Sequence, residues 1–253
     1  MIRHLTTASA IALLAAGGAA AQSESETPET AQSSGESRSA DAPVALSSWN
    51  YDRLYAMEGI RGEAMLDAEA YGENGEEVGD IENVWIRDNR IIGVTVETDG
   101  FLDIGDTHVI VPFDQISFEG ERIVTPLTDE NVGEYDAWSE TAAVNETLDT
   151  IKRVDDGGAV AAEDVYRLTD VMDDYALAEG VGRGYIDDVL FSRDGALEAV
   201  VFVGAAGYRA APYYGPEYGY DPFRSTYRLR YDAEEIEGLE PFEYDRMENG
   251  DWF

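Results

Sequence analysis

A motif of eight residues that occurs twice is the feature that most restricts how this chain can fold. Residues 79–86 read Gly-Asp-Ile-Glu-Asn-Val-Trp-Ile, and residues 184–191 read Gly-Tyr-Ile-Asp-Asp-Val-Leu-Phe. Glycine, isoleucine, valine and a final pair of large apolar residues keep the same spacing in both. Each motif carries apolar residues on both faces, as a strand covered on both sides does. The sequence therefore predicts two related β units.

Strand patterns surround the first motif. Residues 60–66 are predicted to form an opening strand, and residues 71–75 a turn, because Asn74 and Gly75 accept positive φ angles. The alternation of residues 91–96 and the run at 107–113 predict two more strands, with a glycine-containing loop at 100–105 between them. A hairpin around Gly120 then leads to residues 123–124.

The second motif has a similar but weaker pattern around it. Residues 197–203 are predicted to form the following strand, and residues 168–171 align with residues 57–60. Residues 227–232 align with residues 109–114. This alignment keeps the inward register on which burial depends, because Val109, Val111 and Phe113 are matched by Tyr227, Leu229 and Tyr231.

A different pattern separates the two units. Val144, Leu148 and Ile151 have the spacing of one helix face, which predicts a helix over residues 141–154 within a connector at 127–163. The Asp-Asp-Gly-Gly sequence at 155–158 ends it. We interpret that sequence as a solvated turn rather than as half of a cation site.

The N-terminus has the features of an export signal. Arg3 precedes an uncharged apolar run at 8–21, and that run ends in three alanines suited to cleavage before Gln22. The run is shorter than the roughly 20 residues that span a bilayer, which favours a cleaved signal over a retained anchor. Residues 22–48 are too poor in large apolar side chains to fold, so a disordered acidic leader is expected. These features predict a periplasmic protein without membrane insertion after cleavage.

Composition excludes several kinds of chemistry. The chain has 53 acidic and 17 basic residues and a formal charge of −36, which disfavours nucleic acids and anionic lipids as partners. It has no cysteine, and therefore no thiol nucleophile or cysteine-ligated metal. No cofactor or metal motif is recognisable. The acidic residues are interpreted as a solvated surface, with weak divalent-cation sites as the alternative.

The motifs in their order resemble a known family. An opening Ile60-Arg61-Gly62, the motif preceded by Val78, a glycine-rich loop and Val111-Pro112-Phe113-Asp114 are similar to the PRC-barrel domain. The resemblance covers about residues 54–126 and, with departures, about residues 165–245. The second copy lacks the Val-Pro-Phe triplet in this alignment and carries an insertion at 207–223. The resemblance implies a small β-barrel that acts in docking and assembly, and it supplies no catalytic residues.

The insertion contains the candidate binding residues. Tyrosine gives a large and rigid contact area with a polar tip, and the tyrosine-rich segment includes Tyr208, Tyr213, Tyr214, Tyr218, Tyr220 and Phe223. Three interpretations stay open: the rings cover the core, contact a partner, or lie in a disordered loop. Arg228 and Arg230 are expected to point away from the buried face of their strand. They suit either an anion or the carboxylates of the protein itself.

Catalysis is not expected. His108 follows Asp106 on the same strand face, and Ser117 is nearby in sequence, but the spacing does not support an oriented base and nucleophile. We therefore expect no enzyme activity.

Together these patterns predict a mainly β protein with two small PRC-type β-barrels joined by a partly helical connector. The expected domains are 49–126 and 164–253. The expected function is a non-enzymatic binding or assembly module of the periplasm that contacts a protein or envelope component. The alternative is an acidic structural or stress-protective envelope protein with weak divalent-cation binding.

Overall fold

A computed structural model of the chain describes the following residues: 45–98, 107–138, 143–144, 148, 150–154, 160–161, 165–212, 219–221, 224–249 and 252–253. They belong to one compact unit, Ser39–Phe253. The predicted signal peptide, nearly all of the leader, the loop at 100–105 and the turn at 155–158 lie outside the described residues. Within the described ranges, no helix is both long and apolar enough to cross a membrane.

The fold is mainly β, as predicted. The strands in chain order are β1 (Gly59–Arg61), β2 (Glu69–Gly72), β3 (Glu77–Arg87), β4 (Arg90–Thr98), β5 (Thr107–Pro112), β6 (Ser117–Glu119), β7 (Arg122–Thr125), β8 (Ala137–Trp138), β9 (Ala143–Val144), β10 (Lys152–Val154), β11 (Val160–Ala161), β12 (Val165–Arg167), β13 (Tyr175–Ala178), β14 (Val181–Ser192), β15 (Leu197–Gly204), β16 (Gly207–Pro212), β17 (Gly219–Asp221) and β18 (Thr226–Leu229). The α-helices are α1 (Asp52–Ala56), α2 (Gly62–Leu66), α3 (Leu168–Val171) and α4 (Ala233–Glu237). Short 3₁₀ helices occupy Leu46–Ser48, Phe113–Gln115, Val132–Glu134 and Tyr244–Asn249.

Two sheets contain most of these strands. The first has the order β6-β7-β2-β3-β4-β5-β10-β8, and the second has the order β16-β15-β14-β13-β18-β17. In each sheet the repeated motif lies on a long central strand, β3 or β14. Both long strands form antiparallel pairs with the strands that precede and follow them. The recurrence in the sequence is therefore a recurrence in structure.

The glycine that opens each motif has a physical explanation. Gly79 has a φ angle of 145° and Gly184 one of 158°. A Cβ on Gly79 would overlap the carbonyl oxygen of Glu97, and one on Gly184 would overlap that of Val203. Glycine is required at both places because the neighbouring strand passes too close for any side chain.

The two copies exchange their first strands. β1 belongs to the first copy in sequence, yet it pairs antiparallel with β14 of the second sheet. In the same way β12, which opens the second copy, pairs with β3 of the first sheet. Ile60 faces Phe191 across one junction, and Tyr166 faces Ile86 across the other. Each sheet is therefore completed by the other copy.

One apolar core lies between the sheets. It takes side chains from both copies, including Ile81, Val94 and Val109 of the first and Ile186 and Phe202 of the second. Tyr227, Leu229 and Tyr231 are also buried in it, as the sequence predicted. We call the sheet faces that point into this core the inner faces and the opposite faces the outer faces.

The predicted helix of the connector is wrong for the residues that can be described. Lys152–Val154 forms strand β10, which pairs antiparallel with β5. Leu148 and Val154 cover Trp85 and Ile110 on the outer face of the first sheet. An exposed strand edge offers unpaired backbone groups, and the β-branched Ile151 and Val154 suit a strand better than a helix. Tertiary pairing therefore overrides the helical spacing.

The predicted opening strand is only partly right. Strand β1 ends at Arg61, and Gly62–Leu66 is helical. The residues of α2 after Gly62 are good helix formers. In addition, the backbone N–H of Glu63 donates to the carboxylate of Asp188 at 3.0 Å, which gives the start of the helix an acceptor from the other copy.

The alignment of residues 227–232 with 109–114 is wrong. β18 pairs in parallel with β13, as β7 pairs with β2, so β18 is the equivalent of β7. The equivalent of β5 is β16: Pro112 faces Gly93 in the first sheet, and Pro212 faces Ala199 in the second. Ala211-Pro212 thus takes the place of Val111-Pro112. The proposed insertion at 207–223 therefore includes β16 and β17, the counterparts of β5 and β6.

The alignment of residues 168–171 with 57–60 is also wrong. Arg61 of β1 pairs with Leu190, and Arg167 of β12 pairs with Trp85. Leu190 and Trp85 occupy the same position of the two motifs, so Arg167 is the equivalent of Arg61. Helix α3 therefore corresponds to α2, the helix that follows β1.

Candidate functional site

A row of side chains crosses the outer face of the second sheet. Tyr175 on β13 faces Tyr185 on β14, which faces Val203 on β15, which in turn faces Tyr208 on β16. Ala176, the residue after Tyr175, is buried in the shared core. Since side chains alternate along a strand, Tyr175 and the residues beside it point outward. We call Tyr175, Tyr185, Val203 and Tyr208 the tyrosine row.

The tyrosines of this row are unusually exposed. The exposed fraction is 47% for Tyr175, 46% for Tyr185 and 38% for Tyr208. Val181, at the start of β14, is 55% exposed. Among the residues that the structure describes, these four are the large hydrophobic side chains classed as exposed. All four lie in the second sheet.

Two of the tyrosines form a pair. The ring centroids of Tyr175 and Tyr185 are 4.4 Å apart, and their hydroxyl groups share a hydrogen bond. This hydrogen bond raises the pKa of the Tyr185 hydroxyl. The two rings are therefore held together as one exposed unit.

The first copy carries carboxylates where the second carries this pair. Ala70 faces Gly79 in the first sheet, and Ala176 faces Gly184 in the second, so the residues next to them are equivalent. In the first sheet that neighbouring pair is Glu69 and Asp80. Because the same sheet position is acidic in one copy and aromatic in the other, the aromatic pair is not a requirement of the fold.

Part of the same outer face is covered by the terminal segments. Residues of the β14–β16 strands, such as Leu190 and Val201, lie beneath Tyr51 and Leu54 of the N-terminal segment and Phe242 of the C-terminal segment. The free edge of β16 is covered as well. The backbone N–H of Phe242 donates to the carbonyl of Tyr208 at 2.9 Å. The indole N–H of Trp49 donates to the carbonyl of Ala210 at 3.0 Å.

The structure brings some of the predicted binding residues to this face. Tyr208 belongs to the row and contacts the ring of Tyr244 at a centroid distance of 5.3 Å. Arg228 faces Leu177, two residues after Tyr175, and points outward with an exposed side chain. Arg230 is exposed too, but it lies after the end of β18.

Tyr220 has a different role. It is the equivalent of Phe118 and packs against the shared core, with its ring 5.4 Å from that of Tyr166. Its hydroxyl donates to Asp174 at 3.1 Å. Burial raises the pKa of the Tyr220 hydroxyl, and the bond to Asp174 adds to the effect. For Tyr220, the interpretation that the ring covers the core is therefore the correct one. The remaining candidates lie outside the described residues: Tyr213, Tyr214, Tyr218 and Phe223.

The sequence analysis missed a buried ionic junction between the copies. Strand β14 has a bulge between Ile186 and Asp188, and the side chain of Asp188 is 0% exposed. Its carboxylate accepts hydrogen bonds from Arg61 Nε at 2.8 Å and from the backbone N–H groups of Glu63 at 3.0 Å and Val189 at 2.8 Å. Burial raises the pKa of Asp188 to about 6, although Arg61 opposes the change. The sequence feature that could have indicated this junction is an acidic residue within the otherwise apolar motif at 184–191.

The first copy has a neutral version of this junction. Asn83 is the equivalent of Asp188, and its amide group donates to the hydroxyl of Thr169 at 2.7 Å. Its carbonyl oxygen accepts from the backbone N–H of Val84 at 3.0 Å. The equivalent arginine, Arg167, pairs instead with Asp170. The two junctions therefore tie the copies together by the same geometry with different charges.

A groove of about 1040 Å³ opens beside the ionic junction. Its lining includes Arg61, Arg122, Tyr71 and Tyr244. The guanidinium of Arg122 lies 4.4 Å from the ring centre of Tyr71, and that of Arg61 lies 4.6 Å from the ring centre of Tyr244. The rings of Tyr71 and Tyr244 in this groove are thus already covered by cations of the chain.

The residues considered for catalysis or metal binding form no recognisable site in the described part of the chain. His108 Nδ1 lies 2.8 Å from Glu82 Oε2, within hydrogen-bond distance, and both side chains are partly exposed. Ser117 is an exposed residue of β6, and Asp106 lies outside the described residues. In the described part of the chain, no group of three or more histidine, aspartate or glutamate side chains could hold a metal ion. The alternative of loosely bound cations stays a prediction.

Comparison with known proteins supports the first copy. Residues 57–132 match the PRC-barrel domain family. This match confirms the resemblance over the strands from β1 to β7. No curated protein matches the chain. The relation of the second copy to the first rests on the equivalent strand pairing described above.

Proposed function

We propose that this protein is an exported, non-enzymatic binding or assembly module that docks a partner protein on the outer face of its second sheet. The observation that carries the proposal is the tyrosine row. Its tyrosines remain exposed although part of the same outer face is covered by the terminal segments. Exposed aromatic groups of this kind mark interaction sites more often than scattered single residues do.

The chemistry of the row suits protein contact. Tyrosine is enriched at the energetic centres of protein interfaces, and three of the four residues of the row are exposed tyrosines. The row crosses four neighbouring strands, from β13 to β16. With strands about 4.8 Å apart, it is about 14 Å long, which is enough for the central part of an interface.

The comparison between the copies adds support. The fold does not need an aromatic pair at this position, because the first copy has Glu69 and Asp80 there. The exposure of Tyr175 and Tyr185 opposes solubility without stabilising the core. A contact with another protein is a physical reason to retain them.

Export and the absence of catalysis are parts of the proposal. The N-terminal sequence, with Arg3 ahead of an uncharged apolar run, supports export. The chain has no cysteine, which supports binding over thiol-based nucleophilic catalysis.

Site-specific photocrosslinking in intact cells tests the docking face. A photoreactive amino acid would replace Leu177, a half-buried residue of β13 that lies on the outer face two residues after Tyr175. The matched control would carry it at Glu121, an exposed residue of the first copy. We expect a discrete crosslinked product from position 177 that is lost when Tyr175→Ala and Tyr185→Ala are added. Equal crosslinking from the two positions, or products that ignore the tyrosines, would overturn the proposal.

A further inference from the structure

We infer that the partner presents a basic segment, with arginine or lysine side chains that contact the exposed rings of Tyr175 and Tyr185. This inference rests on the proposed docking function and names the chemistry of the partner. It follows from the charge of the chain, from the way its other aromatic rings are covered, and from the groups around the row.

The electrostatic field of this acidic protein favours a partner with a positive charge. With 53 acidic and 17 basic residues, the chain attracts basic surfaces and repels acidic ones before any contact is made. An anionic partner would meet this repulsion at every orientation. A basic partner approaches faster and needs only a local feature to fix where it binds.

Guanidinium groups cover aromatic rings repeatedly within this chain. The distance from the guanidinium carbon to the ring centre is 4.0 Å for Arg246 over Tyr55, 4.4 Å for Arg122 over Tyr71, 4.6 Å for Arg61 over Tyr244 and 5.0 Å for Arg193 over Phe118. A cation over a ring face is attracted by the negative charge of the π system. Over the described ranges, no guanidinium of the chain itself covers Tyr175 or Tyr185 in this way.

The groups around the pair complete the argument. Asp187, two residues after Tyr185, reaches the outer face, where one of its oxygens accepts the hydroxyl hydrogen of Tyr244 at 2.7 Å. It adds a carboxylate close to the rings. Arg228 is the cation of the neighbouring strand on this face, and a basic segment would be repelled by it. Whether an Arg228 substitution strengthens or weakens binding therefore distinguishes a basic partner from an acidic one.

The test uses a short fluorescein-labelled oligo-arginine peptide as probe and fluorescence anisotropy as readout. The full mature chain is titrated at about 0.15 M salt, where the Debye length of about 8 Å limits diffuse attraction. An uncharged glycine-serine peptide of the same length serves as the background. The variants are the double changes Tyr175→Ala with Tyr185→Ala and Tyr175→Phe with Tyr185→Phe.

The first copy supplies the matched control, because Glu69→Ala with Asp80→Ala removes two carboxylates at the equivalent sheet position. We expect the tyrosine-to-alanine pair to weaken binding about tenfold, as the loss of two cation–π contacts implies. The phenylalanine pair should bind within about twofold of wild type. The carboxylate pair should weaken binding less than about threefold at this salt concentration. Arg228→Ala should leave binding unchanged or make it tighter.

Three results would overturn the inference. Equal or greater weakening by the carboxylate pair would show diffuse attraction to the acidic surface. Weaker binding of Arg228→Ala would show that the face prefers acidic groups. If photocrosslinking from position 177 still requires Tyr175 and Tyr185 while the peptide ignores them, the docking site stands and the basic partner is wrong. If neither measurement depends on the two tyrosines, the proposed function is wrong as well.

Discussion

Replacement of Asp188 by asparagine tests the energetics of the buried junction. The carboxylate is 0% exposed and accepts three hydrogen bonds, one from Arg61 and two from backbone N–H groups. Asparagine at this position would keep the backbone contacts that Asn83 makes in the first copy, but its NH2 group would replace the oxygen that accepts from Arg61 Nε. Its carbonyl oxygen can still accept from the N–H groups of Glu63 and Val189, while the charge is removed.

The pH dependence of this substitution follows from the raised pKa. In the unfolded chain the pKa of Asp188 is near 3.8, and in the folded protein burial raises it to about 6. Between these values the native state binds more protons than the unfolded state, so the free energy of unfolding falls as the pH rises. The full difference corresponds to about 3 kcal/mol. Asparagine does not titrate and avoids this loss.

The measurement is urea unfolding of wild type, Asp188→Asn and Asp188→Ala at about pH 4 and about pH 7, at constant salt. The difference in free energy of unfolding, Asp188→Asn minus wild type, should increase by up to about 3 kcal/mol from the lower to the higher pH. Asp188→Ala should show the same pH trend. It should also be less stable than Asp188→Asn by about 2–6 kcal/mol at both pH values, because two buried N–H groups lose their acceptor.

The opposite trend would refute the reasoning. If Asp188→Asn became less stable relative to wild type as the pH rises, the pairing with Arg61 would outweigh burial, and the folded pKa would lie below the unfolded one. A pH-independent difference would show that the carboxylate titrates alike in both states. Equal stability of the asparagine and alanine variants would show that the two N–H bonds contribute nothing.

Two further predictions concern stability and are measured by the same urea unfolding. Gly79→Ala should lower the free energy of unfolding by more than about 3 kcal/mol, because its Cβ meets a strand backbone. Gly75→Ala, at a φ angle of 81° but in open space, should lower it by about 1–2 kcal/mol; equal effects would disprove the close approach. Tyr220→Ala should lower it by about 2 kcal/mol, since the ring packs on the core and bonds to Asp174. Tyr185→Ala should change it by less than about 1 kcal/mol, and the reverse order would contradict the assignment of core and surface rings.

Much of the fold could be predicted from local patterns. The repeated motif correctly indicated two related sheets, and the alternation around Val94 and Tyr227 identified buried faces. Errors occurred where tertiary contacts decide the outcome. The spacing of Leu148 and Ile151 suggested a helix, but the chain after them pairs with the edge of β5. The small side chains of Ala210 and Ala211 concealed the strand that corresponds to β5.

The candidate site was only partly predictable. Tyr208 and Arg228 were named from the sequence and do lie on the outer face. Tyr175 and Tyr185 were missed, because ten residues separate them and only strand pairing brings their rings together. A single tyrosine in a strand gives no sign of its exposure. The contrast with Glu69 and Asp80 could have been found once the two copies were aligned.

The sequence by itself determined the class of fold, because alternating apolar residues and a required glycine recur in both copies and act within one strand or its nearest neighbour. It also determined the acidic character that selects possible partners. Only the tertiary structure decided that β1 and β12 each complete the sheet of the other copy, since strand exchange depends on contacts between residues 78 to 133 positions apart. The same long-range packing decided which tyrosines are core and which face solvent, because burial depends on what covers a residue and not on the residue itself.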